Sequence, residues 1–460
     1  MSSDLVYVRS GVPGLTWPPM VNSANVRLLA LVQWLDRSQW LDGSALQAAQ
    51  QTQLAVLLKH FELQSPWVRD LLRQQGLSAE SASRSWDAFA RYPVTTRADV
   101  LQAGQELLAR VVPPSHLPVT TRTTSGSTGV PVTAHRSAVN QLFWQATTLR
   151  EHLWHQRDPK GRLAVIRQSV AKAFDHPNWG APVANLFDTG TSHGMPVSTA
   201  PADLLQWLAD IRPTYLLVYP GLWQTLLDLM GSPSGAPFRA ALGSITQVRT
   251  LGQSVSDDLR QQTQTTLGIR IADTYSSEET GVIAIECPHS GLYHVMAEGL
   301  VVEVLAPDGS ACQVGEIGRV VVTDLLNFAS PVIRYDLGDY AQVGPPCACG
   351  RGLLTLAKIL GRQRNMLKLP DGNRRWRLAG YPAFASVANI TQYQLVQTSP
   401  TQMEVRLAVD GPALTTGQEA QLAAILHDTM PVPFEYRFVY PKGGLTMPAS
   451  GKFEEFVCEC

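Results

Sequence analysis

The chain has 460 residues, 45% of them hydrophobic, which is enough for a large buried core and for two or more domains. Its 37 Lys and Arg side chains nearly balance its 38 Asp and Glu, without long runs of either sign, which argues against a nucleic-acid-binding surface or a polybasic membrane anchor. The N-terminal residues lack a basic start followed by an apolar stretch, and no run of about 18 apolar residues occurs. We therefore expect a soluble, cytoplasmic protein.

Hydrophobic spacing predicts helices first and alternating elements later. Between about residues 24 and 110 the apolar positions recur at helical spacing, and Thr95 or Thr96 is expected to cap the last of these helices. From 138 onward short apolar runs such as RLAVIR alternate with helical stretches such as ADLLQWLADIR. This alternation is typical of crossover units on a mixed or parallel sheet, and strands dominate after about 290.

The end of the chain predicts a separate small domain. It contains two strand patterns, TQYQLVQ and QMEVRLAV, followed by the helical pattern TGQEAQLAAILHDT. We place the boundary between a large N-terminal domain, residues 1–362, and a small mobile C-terminal domain, residues 363–460. The predicted fold class is α/β, with mixed sheets flanked by helices in the large domain and an α+β arrangement in the small one.

A segment rich in glycine and hydroxyl groups, RTTSGSTGVPVTAHRS, covers residues 122–137. Glycine lets a ligand approach the peptide N–H groups closely, and hydroxyl groups add donors, so such a loop can cradle a phosphate. A polar surface turn is the alternative. A Walker A motif is excluded because no lysine follows the second glycine. The loop residues are Thr124, Ser125, Gly126, Ser127, Thr128 and Gly129.

Five segments, in the same order, resemble the motifs of the acyl-adenylate-forming enzymes and, more closely, their phenylacetate-coenzyme A ligase branch. The resemblance covers roughly residue 85 to the end. The segments are TTSGSTGVP for the phosphate loop, YSSEE from Tyr275 for the Tyr-Gly-x-Thr/Ser-Glu motif, PVIRYDLGD from Pro331 for the Pro-x-x-Arg-Tyr-x-x-Gly-Asp motif, Gly361-Arg362 for the hinge and Ser450-Gly451-Lys452 for the terminal lysine motif.

The resemblance implies that a carboxylic acid attacks ATP to form an acyl-adenylate. Two anions must meet in this reaction, so the site has to screen charge. By the resemblance, Glu279 would hold Mg²⁺ with Thr128 as a second partner. Lys452 would be delivered by the small domain and neutralise the negative charge that develops at the α-phosphate.

The same resemblance implies how ATP is held. The loop residues would bind the β- and γ-phosphates. Tyr275, followed by Ser276, would lie against adenine, and Asp339 would accept hydrogen bonds from both ribose hydroxyls. Arg362 would reach ribose or phosphate.

Some positions depart from the family pattern. Ser276 replaces the usual glycine, Glu278 stands where Ser or Thr is usual, and Gly252-Gln253 occupies a Gly-Ala-Glu-like place. At the hinge, Gln363-Arg364-Asn365 replaces the common aspartate. We expect the acid pocket to be lined from residues 174–179 and 252–275; its aromatic content favours an aryl or cyclic acid. The predicted acid-binding residues are Trp179, Gly252, Gln253 and Ser277.

Four residues of the later chain suit a zinc site. Cys287 and His294 are seven positions apart, and Cys347 and Cys349 follow about 50 residues later. Three thiolates and an imidazole suit tetrahedral Zn²⁺, and four protein ligands leave no open position for catalysis. His289 competes as the fourth ligand, but the resemblance favours His294 and implies a structural metal. Free thiols in turns are the alternative.

The nucleophile that receives the acyl group is not fixed by any residue. Coenzyme A is expected from the resemblance, while an amine or amino acid, giving an amide, and a carrier-protein thiol remain open. A function from another class is a catalytically silent, zinc-containing binding module that keeps the fold without the chemistry. That reading predicts damaged ATP positions, whereas Thr128, Glu279, Asp339 and Lys452 are intact.

Overall fold

The structure is a computed structural model that describes residues 8–123, 133–231, 235–362, 365–376, 384, 387–430, 432–442, 444–445 and 453–460. The predicted phosphate loop, residues 124–129, and Lys452 lie outside these residues, as do Gln363 and Arg364 of the hinge.

Many helices begin at a residue whose side chain accepts a backbone N–H, which satisfies a group that the first turn leaves unpaired. Thr96 is one of the two caps expected: its hydroxyl accepts from the N–H of Asp99, whose carboxylate accepts from the N–H of Thr96. The helices are α1 (Val26–Ser38), α2 (Gly43–Gln64), α3 (Pro66–Gln74), α4 (Ala79–Ser83), α5 (Trp86–Ala90), α6 (Arg97–Ala103), α7 (Ala138–Trp154), α8 (Val183–Leu186), α9 (Pro201–Ile211), α10 (Pro220–Gly231), α11 (Ala236–Ala241), α12 (Asp257–Leu267) and α13 (Thr416–Thr429).

The strands follow the apolar runs of the sequence. They are β1 (Thr120–Thr123), β2 (Thr133–Arg136), β3 (Leu163–Arg167), β4 (Phe174–His176), β5 (Ser192–Pro196), β6 (Tyr215–Val218), β7 (Gln247–Leu251), β8 (Arg270–Ser277), β9 (Gly281–Glu286), β10 (Tyr293–Val295), β11 (Leu300–Leu305), β12 (Ile317–Asp324), β13 (Tyr335–Val343), β14 (Thr355–Arg362), β15 (Met366–Lys368), β16 (Arg374–Trp376), β17 (Ile390–Ser399), β18 (Gln402–Val409), β19 (Glu435–Val439) and β20 (Phe456–Cys458).

The chain divides into two compact units. The first comprises Met1–Lys160, Asn178–Thr189 and Thr274–Leu360. Its strands neighbour one another in the order β11-β12-β13-β14-β10-β9-β8, and β1 and β2 form a separate antiparallel pair. Apolar side chains of α2 to α5 pack with Val301, Leu325 and Ile333 into a buried core. This unit therefore combines an N-terminal helical layer with a sheet built largely from antiparallel hairpins.

The second unit comprises Gly161–Pro177, Gly190–Asp273 and Gly361–Cys460. Its larger sheet has the order β8-β7-β6-β3-β5-β4, to which β8 contributes its first residues. Strands β7, β6, β3 and β5 pair in parallel, as the crossover pattern of the sequence predicts. Strand β6 is buried along its whole length, and α9, α10 and α12 pack their apolar faces into the same core.

The C-terminal part of the second unit has its own core. Its four-stranded sheet has the order β19-β18-β17-β20, and Leu422 and Leu426 of α13 pack with Leu395, Val405 and other apolar side chains of that sheet. The predicted elements are confirmed here: QMEVRLAV is β18 and TGQEAQLAAILHDT is α13. The predicted fold class is thus confirmed, while the boundary between 362 and 363 stays a prediction.

Candidate active site and metal centre

Tyr275 and Asp339 lie together in the first unit. Tyr275 stands near the end of β8 with a side chain only 7% exposed, and Asp339 is a half-buried residue of β13. The Tyr275 hydroxyl donates a hydrogen bond of 2.9 Å to Oδ2 of Asp339. A charge-assisted bond of this kind fixes the carboxylate and the ring together. The two residues predicted to bind ribose and adenine are therefore one hydrogen-bonded pair.

The turn between β8 and β9 carries Glu279. Its first and last side chains are tied together, because the hydroxyls of Ser277 and Thr280 lie 3.1 Å apart and the N–H of Thr280 donates to Oγ of Ser277. Glu278 is exposed, whereas Ser276, Ser277 and Glu279 are half-buried. The Glu279 carboxylate thus sits on a short, closed turn.

Arg136, which sequence analysis did not single out, donates hydrogen bonds to backbone carbonyls of this turn. Its Nε and Nη2 donate to the carbonyl oxygen of Glu278 at 3.1 and 2.6 Å, and Nη2 also donates to that of Ser277 at 3.2 Å. The only sequence signal is its place, five residues after Pro131 of the phosphate-loop motif. Backbone carbonyls carry no residue signature, so these partners could not be read from the sequence.

A buried carboxylate, also missed, lies on the same side of the unit. Asp324 ends β12 with only 1% exposure and accepts hydrogen bonds from Nδ2 of Asn140 at 2.6 Å and the N–H of Leu326 at 2.9 Å. Burial raises the pKa of Asp324 to about 7, although these hydrogen bonds and the positive charge of Arg136 oppose the rise.

The strands on either side of the predicted phosphate loop pair with each other. Thr123 of β1 lies opposite Thr133 of β2, and the pairing continues to Thr120 and Arg136. The residues flanking the loop are therefore adjacent in an antiparallel hairpin. Thr124, Ser125, Gly126, Ser127, Thr128 and Gly129 themselves lie outside the described residues.

Gln253, predicted to contact the acid, binds the chain next to Lys452. Its Nε2 donates to the carbonyl oxygen of Phe453 at 2.7 Å, and its Oε1 accepts from the N–H of Gly221 at 3.3 Å. Gly252 has φ +77°, a left-handed conformation that favours glycine. These residues all belong to the second unit.

The other predicted residues are placed as follows. Arg362, exposed at the end of β14, donates its backbone N–H to Oδ1 of Asn365, which in turn donates to the carbonyl oxygen of Phe456. Trp179 is buried in the first unit, its N–H bonded to Oγ1 of Thr189 and its ring 5.4 Å from that of His152.

The four residues predicted to bind zinc come together in the first unit. Cys287 and His294 lie on the connection and strand that follow β9, and Cys347 and Cys349 lie between β13 and β14. One potential ligand atom from each lies within 4.8 Å of all the others. Among the described residues the cluster includes His294 and not His289, as the resemblance favoured.

Distances within the cluster fit a tetrahedral zinc ion. The sulfurs of Cys287 and Cys347 are 3.8 Å apart, and Nε2 of His294 is 3.3 Å from the sulfur of Cys349. Two thiolates about 2.3 Å from a tetrahedral zinc lie about 3.8 Å from each other. The donor set and its spacing therefore suit Zn²⁺.

Three of the four residues of the cluster are buried, and Cys349 is half-buried. His294 is fully buried, and its ring and that of Trp154 form a T-shaped pair with centres 5.6 Å apart. Burial opposes ionisation of the Cys287 thiol, but hydrogen bonds, first among them that of His294, outweigh it and lower the pKa to about 5. Burial raises the pKa of the Cys347 thiol. Just beyond the cysteines, the Arg351 guanidinium lies 4.2 Å from the centre of the Trp154 ring.

None of the described helices has a stretch long and apolar enough to cross a membrane.

Comparison with known proteins gives consistent relatives. Residues 30–327 match the model of the AMP-binding enzyme family. The phenylacetate-coenzyme A ligase of Thermus thermophilus is 25% identical over 355 residues, which are 71% of this chain and 72% of that protein. The Escherichia coli phenylacetate-coenzyme A ligase is 25% identical over 344 residues, 72% of this chain and 75% of that protein.

Solved structures show the same fold. A crystal structure of 2-hydroxyisobutyryl-CoA ligase in the postadenylation state superposes with a TM-score of 0.70 at 16% identity, covering 98% of this chain and 97% of that chain. The family match spans more than half of the sequence, and the curated relatives lie in the branch whose motifs the sequence carries. The chain therefore belongs to the AMP-binding, acyl-adenylate-forming enzymes, in their phenylacetate-coenzyme A ligase-like branch.

Proposed function

We propose that this protein is an ATP-dependent ligase that converts a carboxylic acid to its acyl-adenylate and then to the coenzyme A thioester. The observation that carries the proposal is the hydrogen bond of 2.9 Å between Tyr275 and Asp339. Tyr275 lies two residues before Ser277, at which the turn that carries Glu279 begins. This pair stands at the positions that, by family resemblance, bind the nucleoside of ATP.

In the first step a carboxylate oxygen of the acid attacks the α-phosphorus of ATP. A phosphorus–oxygen bond forms, the bond to the β-phosphate breaks, and pyrophosphate leaves. We assign Tyr275 to adenine, with Ser276 beside it, Asp339 to the ribose hydroxyls and Arg362 to ribose or phosphate. The described part of the site can hold the nucleoside, because its carboxylate offers two acceptors to a vicinal diol.

Charge is the main barrier to this step. Glu279 and Thr128 would hold Mg²⁺, which screens the phosphate charge when bound. Glu279 fits this role because its carboxylate is an oxygen ligand on a closed turn. Residues 124–129 would bind the β- and γ-phosphates, and Lys452 would neutralise the charge that develops at the α-phosphate.

In the second step the thiol sulfur of coenzyme A attacks the acyl carbon. The carbon–oxygen bond to phosphate breaks, AMP leaves and the thiol proton is released. The names of the two curated relatives support coenzyme A as the acceptor. An amine, an amino acid or a carrier-protein thiol would give a different product in the same assay.

The acid is proposed to be aryl or cyclic. The support is the aromatic content of residues 174–179, which include Phe174 and Trp179, and the phenylacetate named in the relatives. Gly252, Gln253 and Ser277 complete the assigned acid-binding residues. We also retain 363–460 as the lid domain that brings Lys452 to the reaction, since its sheet and α13 have their own core.

We further propose that Cys287, His294, Cys347 and Cys349 bind a structural zinc ion that joins the β9–β10 region to the connection between β13 and β14. All four ligands would come from the protein, so no position is left for a reacting water. Metal analysis of the purified protein should find about one zinc per chain, with little after Cys347→Ser.

The decisive experiment is ATP–pyrophosphate exchange screened against a panel of aryl, cyclic and aliphatic acids, followed by mass spectrometry of products formed with coenzyme A or amino acids. Exchange with an aryl or cyclic acid and formation of its coenzyme A thioester is the expected result. Exchange that yields only an amide would replace the acceptor. Absence of exchange with every acid would favour the silent binding module.

A further inference from the structure

We propose that Arg136 is a positioning residue for the magnesium site, because it fixes the turn on which Glu279 is carried. The inference deepens the proposed function and depends on it, since it concerns the metal used in adenylation. Arg136 is the last residue of β2, and its side chain is only 7% exposed. It therefore lies at the base of the hairpin that flanks the predicted phosphate loop.

The contacts of Arg136 are directed at backbone. Three hydrogen bonds, of 2.6 to 3.2 Å, run from its Nε and Nη2 to the carbonyl oxygens of Ser277 and Glu278. These are the two residues immediately before Glu279. A guanidinium is a rigid fork of donors, so bonds to consecutive carbonyls fix both the position and the tilt of the peptide units. Lysine cannot reproduce this, because its charge is a single point on a flexible stem.

The charge of Arg136 is balanced on several sides. Burial lowers its pKa, while the nearby carboxylates of Glu278, Asp324 and Glu279 act in the opposite direction. Asp324 is held in turn by Asn140, whose Nδ2 donates to it at 2.6 Å. The guanidinium is thus held by its bonds to the turn, and the Asn140–Asp324 pair of α7 and β12 acts on it electrostatically.

This arrangement gives a physical reason for one departure from the family pattern. Position 278, usually Ser or Thr, is Glu278 here, and Arg136 bonds to the carbonyl of this residue and lies within electrostatic reach of its carboxylate. The turn then ends at Gly281, whose φ of +87° favours glycine and whose added Cβ would lie 3.4 Å from Trp144. Both ends of the turn are therefore constrained.

The two possible roles of Arg136, stabilising the fold and positioning Glu279, predict different effects of its substitution. If Arg136 only stabilised the fold, its substitution would lower the melting temperature and leave metal affinity in the folded protein unchanged. If it positions Glu279, metal affinity falls even where the fold is intact, since residues that orient metal ligands typically contribute 10- to 100-fold to affinity.

The test measures binding of Mn²⁺, followed by electron paramagnetic resonance of the free ion, to the full chain with a non-hydrolysable α,β-methylene ATP analogue. Arg136→Lys keeps the charge and loses the fork, and Arg136→Gln loses the charge and keeps an amide donor. Both are expected to bind Mn²⁺ about 10- to 100-fold more weakly, with unchanged affinity for the analogue without metal. Arg27→Gln, at an exposed arginine of α1 in the same unit, is the matched control and should bind like the wild type.

Each outcome is decisive. Mn²⁺ affinity within twofold of wild type in either folded Arg136 variant would overturn the inference, whatever the change in melting temperature. Two substitutions are used so that one variant that fails to fold does not end the test. If the wild-type protein itself neither binds the Mn²⁺–analogue pair nor catalyses exchange, the proposed function fails instead, and the two failures are thereby distinguished.

Discussion

The Cys–His cluster and the Tyr275–Asp339 site are in the same unit, yet they are built on opposite plans. In the cluster, one potential ligand atom from each of Cys287, His294, Cys347 and Cys349 lies within 4.8 Å of all the others, so a single ion could contact all four. At the proposed nucleoside site, the assigned side chains are held by other groups of the protein. The hydroxyl of Tyr275 orients Asp339, and Arg136 holds the turn of Glu279.

Because of this difference, we expect substitutions in the cluster to affect mainly folding stability and substitutions at the proposed nucleoside site to affect mainly activity. A closed ligand set contributes to folding, because its ligands come together only in the folded chain. A site held from behind presents groups to a substrate, so its loss should cost activity more than stability. The predictions below test whether the two effects separate in this way, from the largest expected effect to the smallest.

Lys452→Ala should show the largest difference between loss of activity and loss of stability. Removing the cation assigned to the α-phosphate is expected to slow ATP–pyrophosphate exchange about 1,000-fold while ATP binding and the melting temperature stay close to wild type. Exchange kinetics, equilibrium binding of ATP and thermal unfolding measure the three quantities. Lys442→Ala, an exposed lysine of the same C-terminal region, is the control. Normal exchange in Lys452→Ala would remove the lysine from the mechanism.

The buried carboxylate behind the site should make stability depend on pH. The native pKa of Asp324 is about 7 against an ordinary value of 3.8, so between these values the native state holds one more proton than the unfolded state. The stabilisation by this group is complete below pH 3.8 and is lost as the pH rises through 7. Each pKa unit corresponds to about 1.4 kcal/mol, so the loss is at most about 4 kcal/mol.

Urea unfolding between pH 4.5 and 8 measures this effect. The free energy of unfolding of wild type minus that of Asp324→Asn should fall as the pH rises through this window, since only the wild type carries the titrating carboxyl. A difference that is constant with pH would show that Asp324 is ionised throughout.

The sequence predicts those features of the fold and of the candidate site that particular residue types or hydrophobic patterns mark. The four proposed zinc ligands lie together in the structure, and the sequence could group them because Cys and His are rare residue types whose spacing is typical of zinc sites. That they bind zinc stays a prediction. Strand β18 and helix α13 coincide with the segments predicted from the sequence.

Other features depend on backbone partners far away in the chain. Arg136 bonds to carbonyls 141 and 142 residues later, and Gln253 to one 200 residues later. A carbonyl is present at every residue, so no residue type marks the partner. Strand order has the same limit, because hydrophobic alternation shows which face of a strand is buried and not which strand lies beside it.

Cys347→Ser should lower stability rather than activity. Serine is a poor zinc ligand, so we expect a loss of about 3 kcal/mol in the free energy of unfolding and loss of bound metal, with little change in exchange at temperatures where the variant is folded. Cys312→Ser, at a half-buried thiol outside the cluster, is the control. Exchange that fell in proportion to metal loss in fully folded protein would give the metal a catalytic role.

Tyr275→Phe tests the nucleoside site at the level of one hydrogen bond. It keeps the ring for stacking and removes the hydroxyl that donates to Asp339 at 2.9 Å. Hydrogen bonds to charged groups contribute about 1.5 to 3 kcal/mol, so loss of this bond should raise the KM for ATP about 10- to 150-fold with kcat nearly unchanged. Tyr92→Phe is the matched control, since the Tyr92 hydroxyl is buried without a hydrogen-bond partner among the described residues. If Tyr275→Phe lowered stability and left the KM unchanged, the Tyr275–Asp339 bond would only stabilise the fold. The proposed difference in role between this pair and the Cys–His cluster would then be wrong.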